Sequence, residues 1–369
     1  MKTNPKILLV HLFSNGDCLY ATTIAQQIKK DFPGCTLTWA VASFCTSILH
    51  NNPFVDHILE VKDITKHDTP AFRRLQKKFL AEKASGIYDE VFITHNSLGT
   101  NQAFYDGSTR STIYRAYPHP ITVPIQGVLK LTDNEKNKAE QFAIEKQLNN
   151  YQQVILFEYA PMSGQSLITK EMALAIAEGL VSTTGTAVIL SSANKVQHAN
   201  PAIVDGSSLS LRETAALTHY CTFLLGTSSG ITWISTTTDA KQLPMVQLYH
   251  PGARFENPVS RDFTRFGLST NGLIEIIEFE VPYIIECVKA ALQNFEQAKT
   301  QYNRAIPLHF QTTRSIVYNL MVYLNIASIF KHIRVNIEVH GHQKNFYKSL
   351  FIGFIEFPYK LIKNLVTKK

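Results

Sequence analysis

The chain is expected to fold as two successive doubly wound α/β units with a cleft between them, followed by a basic helical tail. Three observations carry this expectation. The first is the opening segment: Lys6-Ile7-Leu8-Leu9-Val10-His11-Leu12 is an apolar run of buried-strand length. The small turn Ser14-Asn15-Gly16-Asp17 follows it, and a stretch to Lys30 then carries Leu19, Thr23, Ile24 and Ile28 at helical spacing. The second is a strand–helix alternation that continues to about Gln147, the rhythm of a parallel sheet covered by helices. The third is that the same rhythm restarts at Val154.

Taken in order, Phe32-Pro33-Gly34 stops the first helix. A second strand covers 36–42, a short helix runs from Ser43 towards Asn51, and a third strand covers 57–61. A basic helix over 71–85 precedes a strand at 88–94. The stretch 95–131 holds Pro118, Pro120 and Pro124 and reads as irregular, either an acceptor pocket or a long surface loop. A polar helix covers 132–147, and 149–153 reads as the interdomain linker. In the second half, strands are expected at 154–157, 187–190, 223–225 and 245–248. Helices are expected at 169–182, 210–219, 230–237 and, as one long element, 281–305. The domains are therefore placed at 1–150, 151–310 and 311–369.

With 369 residues, 45% of them apolar and 18% charged, the chain can fill two cores, and the low charged fraction argues against disorder. The cysteines are Cys18, Cys35, Cys45, Cys221 and Cys287, an odd number without a CxxC pair, which fits a reducing compartment without a structural zinc site. The N-terminal residues show no signal-peptide pattern, and no run reaches transmembrane length, so a cytoplasmic location is expected. The net charge of +7 is uneven: residues 331–369 hold eight Lys/Arg against Glu338 and Glu356, leaving 28 basic and 27 acidic residues before them. A basic nucleic-acid-binding body is disfavoured, and the basic character belongs to the tail.

Ligands of open α/β sheets bind outside the carboxyl ends of the strands. Asp17 falls there, and the same position suits a simple helix cap. The turn Gly226-Thr227-Ser228-Ser229-Gly230 sets three hydroxyl residues between two glycines at a strand-to-helix junction. It suits either a diphosphate or an ordinary helix start. Gln165 and Ser166 belong to the segment after the strand at 154–157 and face the same cleft; Glu158 either lies near it too or is a solvated strand end. Ser210 and Glu213 have capping-box spacing, and Arg212 between them could face a phosphate. His11 reads as a core residue. Walker, G-x-G-x-x-G and Asp-x-Asp patterns are absent, as is any metal-ligand spacing.

Together these residues resemble glycosyltransferase family nine, the heptosyltransferases of bacterial lipopolysaccharide assembly. The resemblance is carried by KILLVHLFSNGDCLYATTIAQQIKKDFPG, by Asn52-Pro53-Phe54-Val55-Asp56, and by the turn 226–230, over roughly residues 5–250. Three positions depart from the family pattern. Ser228 stands where the family has Asp, Trp233 where it has His, and a residue near Gln165 where it has Lys. The resemblance implies a GT-B fold, two Rossmann-like domains facing a central cleft, and an inverting transfer from a nucleotide-diphosphate sugar without metal or other cofactor. It implies Asp17 as general base, Ser14, Asn15 and Gly16 on the acceptor side, and Thr227, Ser228, Ser229, Gly230, Gln165 and Ser166 around the donor. The acceptor would be a cell-surface glycan or glycolipid. Two alternatives share the fold: a catalytically silent sugar-nucleotide-binding or scaffold protein, and a sugar-nucleotide epimerase. Residues 343–369 mix aromatic and aliphatic side chains with lysines. They suit an interfacial helix on the anionic inner face of the bacterial inner membrane, or a closing helix packed on the body.

Overall fold

A computed structural model describes residues 4–65, 69–95, 99–161, 166–250 and 258–366. The chain forms two compact units. The first is assembled from Met1–Thr46, Phe54–Val123 and Pro307–Lys369, the second from Ser47–Pro53 and Pro124–Ile306. The chain thus passes between units at 46/47, 53/54, 123/124 and 306/307, and the segment 149–153 lies within the second unit.

The first unit opens with β1 (Lys6–Val10), α1 (Asn15–Asp31), β2 (Thr36–Ala42), β3 (His57–Val61), α2 (Thr69–Ala84) and β4 (Glu90–Ile93). These strands form a fully parallel sheet of order β3-β2-β1-β4. Central β1 is apolar and buried from Ile7 onward, as a strand covered on both faces must be, whereas edge strand β3 is largely exposed. α1 ends where the Phe-Pro-Gly signal places it: Gly34 takes a left-handed φ of +76°, which glycine adopts without steric cost.

The stretch expected to be irregular contains α3 (Thr109–Arg115). The buried Asp106 carboxylate organises it, accepting from the Ser111 hydroxyl at 2.7 Å and pairing with Arg115 at 2.8 Å. Ser108 caps the helix.

The second unit comprises α4 (Asp133–Glu145), β5 (Gln153–Ala160), α5 (Lys170–Val181), β6 (Thr186–Ser192), β7 (Ile203–Asp205) and α6 (Leu211–Leu217). It continues through β8 (Phe223–Gly226), α7 (Gly230–Ile234), β9 (Met245–Leu248), α8 (Val259–Arg265), β10 (Leu273–Ile276), α9 (Val281–Gln293) and α10 (Phe295–Tyr302). Its six strands are parallel in the order β10-β9-β8-β5-β6-β7. Ile155, Phe157, Val188, Leu190 and Leu225 from the sheet meet Leu180, Ile284 and Val288 from α5 and α9 in one core.

The single long helix expected over 281–305 is instead two. Asn294 adopts an extended backbone, and its side chain accepts from Gln297 N–H, so it starts a new helix. β7, α8 and β10 were not anticipated.

The chain then returns to the first unit as α11 (Gln311–Val322), α12 (Ile326–His340) and α13 (Lys344–Val366). The two readings of the tail divide between the faces of α13. Phe346, Ser349 and Gly353 are buried, with Gly353 tight against Arg314 and Val317 of α11, and the Phe357 ring meets that of Tyr318 at a tilted angle. Phe351, Ile355, Tyr359 and Ile362 are exposed. Among the described residues, no helix is long and apolar enough to cross a membrane.

Candidate functional site

Both sheets turn direction at their first strand. In the first unit the chain builds β2 and β3 on one side of β1 and β4 on the other. In the second it builds β6 and β7 on one side of β5, and β8, β9 and β10 on the other. Such switch points leave a crevice outside the strand carboxyl ends, and each unit places its candidate residues there.

In the first unit, Ser14 is the extended N-cap residue of α1, though its hydroxyl makes no cap bond. Asn15, Gly16 and Asp17 form the first helical turn rather than a separate tight turn before it. All four reach solvent, between buried Phe13 and buried Cys18. The Asn15 Oδ1 atom is buried without a hydrogen-bond partner. Asp17 thus stands, partly exposed, in the first turn of α1.

Beneath this turn lie two buried imidazoles. His11 shares a 3.1 Å hydrogen bond with the Thr94 hydroxyl, and its ring packs edge-on to His95 at 5.3 Å. Burial pushes His95 down to about 3, and burial together with His95 pushes His11 well below the ordinary imidazole range. Both are neutral core groups at neutral pH.

In the second unit, β5 and β8 bring Glu158 and the turn 226–230 together. The Ser229 hydroxyl donates to Glu158 Oε2, and the Ile231 N–H donates to Oε1 at 3.4 Å. Glu158 is therefore not a solvated strand end. Burial pushes its carboxyl up to about 7, against the hydrogen bonds from Ser229, Ile231 and Thr232. Ser228 holds a left-handed φ of 55°, and its N–H donates to Gln247 Oε1 at 2.7 Å. Thr232 donates to the same oxygen at 3.1 Å. Gly226 is needed for this approach: a Cβ there would lie 2.9 Å from Thr232 Oγ1 and 3.1 Å from Gln247 Nε2. A Cβ on Gly230 would meet open space.

Two donors beside the turn are buried without partners, Thr227 Oγ1 and Gln247 Nε2. Helix α7 is five residues long, shorter than expected, so the turn's own donors matter more than a helix dipole. Trp233 packs edge-on to Phe263 at 5.8 Å as a core residue.

Of the other expected donor-side residues, only Ser166 is described. Ser166 accepts from the Ile168 N–H at 3.1 Å in a local turn, and Gln165 lies outside the described residues. Ser210 and Glu213 form the expected capping box. Arg212 does not face a phosphate. It is buried, pairs with Glu135, and donates to the carbonyls of Ser47, His50 and Lys130. Among the described residues, no three His, Cys, Asp or Glu side chains cluster as metal ligands.

Gln247 is not singled out by the sequence reading, which places Glu158 near the cleft without its partners. Each is a polar residue inside an otherwise apolar strand, VILFEYA and MVQL, and that interruption was the available signal.

No family model matches the chain. A Haemophilus influenzae protein described as a "Putative glycosyltransferase" is 31% identical over 91 residues, about a quarter of each chain (25% of this one and 26% of that one). Among solved structures, the glycosyl transferase family 9 protein of Veillonella parvula has a TM-score of 0.54 at 14% identity, over 79% of this chain and 90% of that one. The Escherichia coli ADP-heptose lipopolysaccharide heptosyltransferase II has a TM-score of 0.51 at 15% identity, over 79% of this chain and 99% of that one. The chain has the GT-B fold of such glycosyltransferases, built from two Rossmann-like units with a C-terminal helical extension.

Proposed function

We propose that this protein is an inverting glycosyltransferase that moves a sugar from a nucleotide-diphosphate sugar to a cell-surface glycan or glycolipid, without a metal cofactor. One observation carries the reading: Asp17 and the turn 226–230 each stand at the switch point of their own parallel sheet, on a GT-B fold. The acceptor binds the first unit beside Ser14, Asn15 and Gly16, and the donor binds the second. The acceptor hydroxyl attacks the anomeric carbon while its proton passes to the Asp17 carboxylate. The bond from that carbon to the diphosphate breaks, and the diphosphate leaves with the electron pair. Attack opposite the leaving group inverts the centre. Backbone N–H groups of the turn, the unpartnered Thr227 hydroxyl and the Gln247 amide stabilise the departing charge. The lipid-linked acceptor is met at the cytoplasmic face of the membrane.

The test is Asp17→Asn, assayed for nucleotide diphosphate release with and without acceptor. Turnover should fall roughly 100-fold or more with donor binding unchanged. Near-normal turnover would remove Asp17 from the mechanism. One observation favours a second reading, a silent sugar-nucleotide-binding protein: Glu158 already takes the Ser229 hydroxyl and the Ile231 N–H. Nucleotide binding by the wild type without turnover on any acceptor would establish it.

A further inference from the structure

Exposed apolar surface is concentrated in one part of this protein. Among the described residues, eleven of the seventeen large exposed hydrophobic side chains lie between Val322 and Ile362. On α13 they form a stripe: Phe351, Ile355, Tyr359 and Ile362 recur every three or four residues, along one helical face. The opposite face is committed to α11 through Gly353, so the helix is already formed and held before anything binds its outer side.

The charges around the stripe choose its occupant. Lys344 and Lys348 are exposed at one end and Lys363 at the other. The one acidic residue of α13, Glu356, is half-buried between Lys360 and Arg314 and leaves no exposed carboxylate on this face. A second copy pairing antiparallel across the stripe would set Lys344 and Lys348 against Lys363, like charge against like. An anionic bilayer places negative headgroups where the lysines are and acyl chains under the aromatic and aliphatic side chains.

We propose that the outer face of α13 is a preformed membrane-docking surface that lies flat on anionic lipid. It deepens the membrane-side part of the function proposed above, resting on that reading for the acceptor and on no step of the transfer itself.

The full-length protein is sedimented with vesicles of phosphatidylcholine alone and of phosphatidylcholine with phosphatidylglycerol in equal parts. Binding to the anionic vesicles at low salt and release at high salt are expected. Phe351→Ser, Ile355→Ser and Tyr359→Ser together should lower that binding at least about tenfold, with the thermal midpoint unchanged because all three are exposed. Reversing Lys344, Lys348 and Lys363 to Glu should lower it about a hundredfold without touching an apolar residue. The proposal is overturned if the wild type ignores anionic vesicles, if both variants bind as it does, or if sedimentation velocity shows a dimer that the serine variant dissolves. Asp17→Asn should bind vesicles normally, so loss of the transferase reading and loss of the docking surface are separable.

Discussion

The Ser229 hydroxyl donates to the Glu158 carboxylate, joining the end of β5 to the turn that follows β8. The bond closes the switch point of the second sheet from below. It leaves a buried carboxyl beside the donors proposed to receive a diphosphate. The protonation of Glu158 therefore bears on both stability and binding.

Glu158 keeps its proton in the folded protein until about pH 7, whereas its ordinary value is 4.5. Above pH 4.5 the unfolded chain releases that proton and the folded one does not. Stability should therefore fall as pH rises from about 4.5 to about 7 and level off beyond, by about 3 kcal/mol in all. Glu158→Gln should flatten this segment of a urea-midpoint profile. An unchanged slope would mean that another group produces it.

The two glycines of the turn should respond in opposite ways. Gly226→Ala forces a methyl against Thr232 and Gln247 and should cost about 1–3 kcal/mol of stability. Gly230→Val meets open space, so the fold should survive while affinity for a nucleoside diphosphate falls. Calorimetry on a folded Gly230→Val protein with full affinity would move the diphosphate elsewhere.

Arg212 should behave as a structural residue. Its replacement by Ala strands Glu135, whose carboxyl Arg212 and Thr132 hold at about 2 against the upward push of burial. It also frees three carbonyls, so a loss of about 3–5 kcal/mol is expected, read from urea unfolding. Loss of nucleotide affinity at unchanged stability would instead return Arg212 to the donor site.

Gly353→Leu should lift α13 from α11, because even a Cβ at this position lies 3.1 Å from Val317 Cβ and 3.2 Å from Arg314 Cα. A thermal midpoint lowered by several degrees is expected. Removing residues 343–369 altogether should be worse, since it also withdraws buried Phe346. A stable, soluble truncation would show that α13 contributes little to the core.

The legible parts of this fold are those with one physical cause. Strands such as β1 and β8 are buried on both faces and read as unbroken apolar runs. The capping box at Ser210 is a local, four-residue signal. β7 escaped because three residues carry no period, and β10 because Glu275 interrupts it. Asn294 escaped because an apolar period runs through it and only its side-chain bond ends the helix. The site was half legible. Asp17 and the glycine-flanked turn are marked by position after a strand. The surroundings of Glu158 and Arg212 are not legible because their partners, Ser229 and Glu135, lie about seventy residues away in sequence.

The larger segment of the second unit, Pro124–Ile306, is spliced into the first, as is the short segment Ser47–Pro53. During synthesis the ribosome delivers β1 to β4 early and the helices α11 to α13 last. Contacts that complete the first unit, such as Asn336 Nδ2 donating to the Tyr105 carbonyl at 2.9 Å, join residues that leave the ribosome far apart in time. The inserted sheet can close while its host waits, so nascent chains whose residues up to 306 have left the ribosome should carry a protease-resistant second sheet and an unfinished first one.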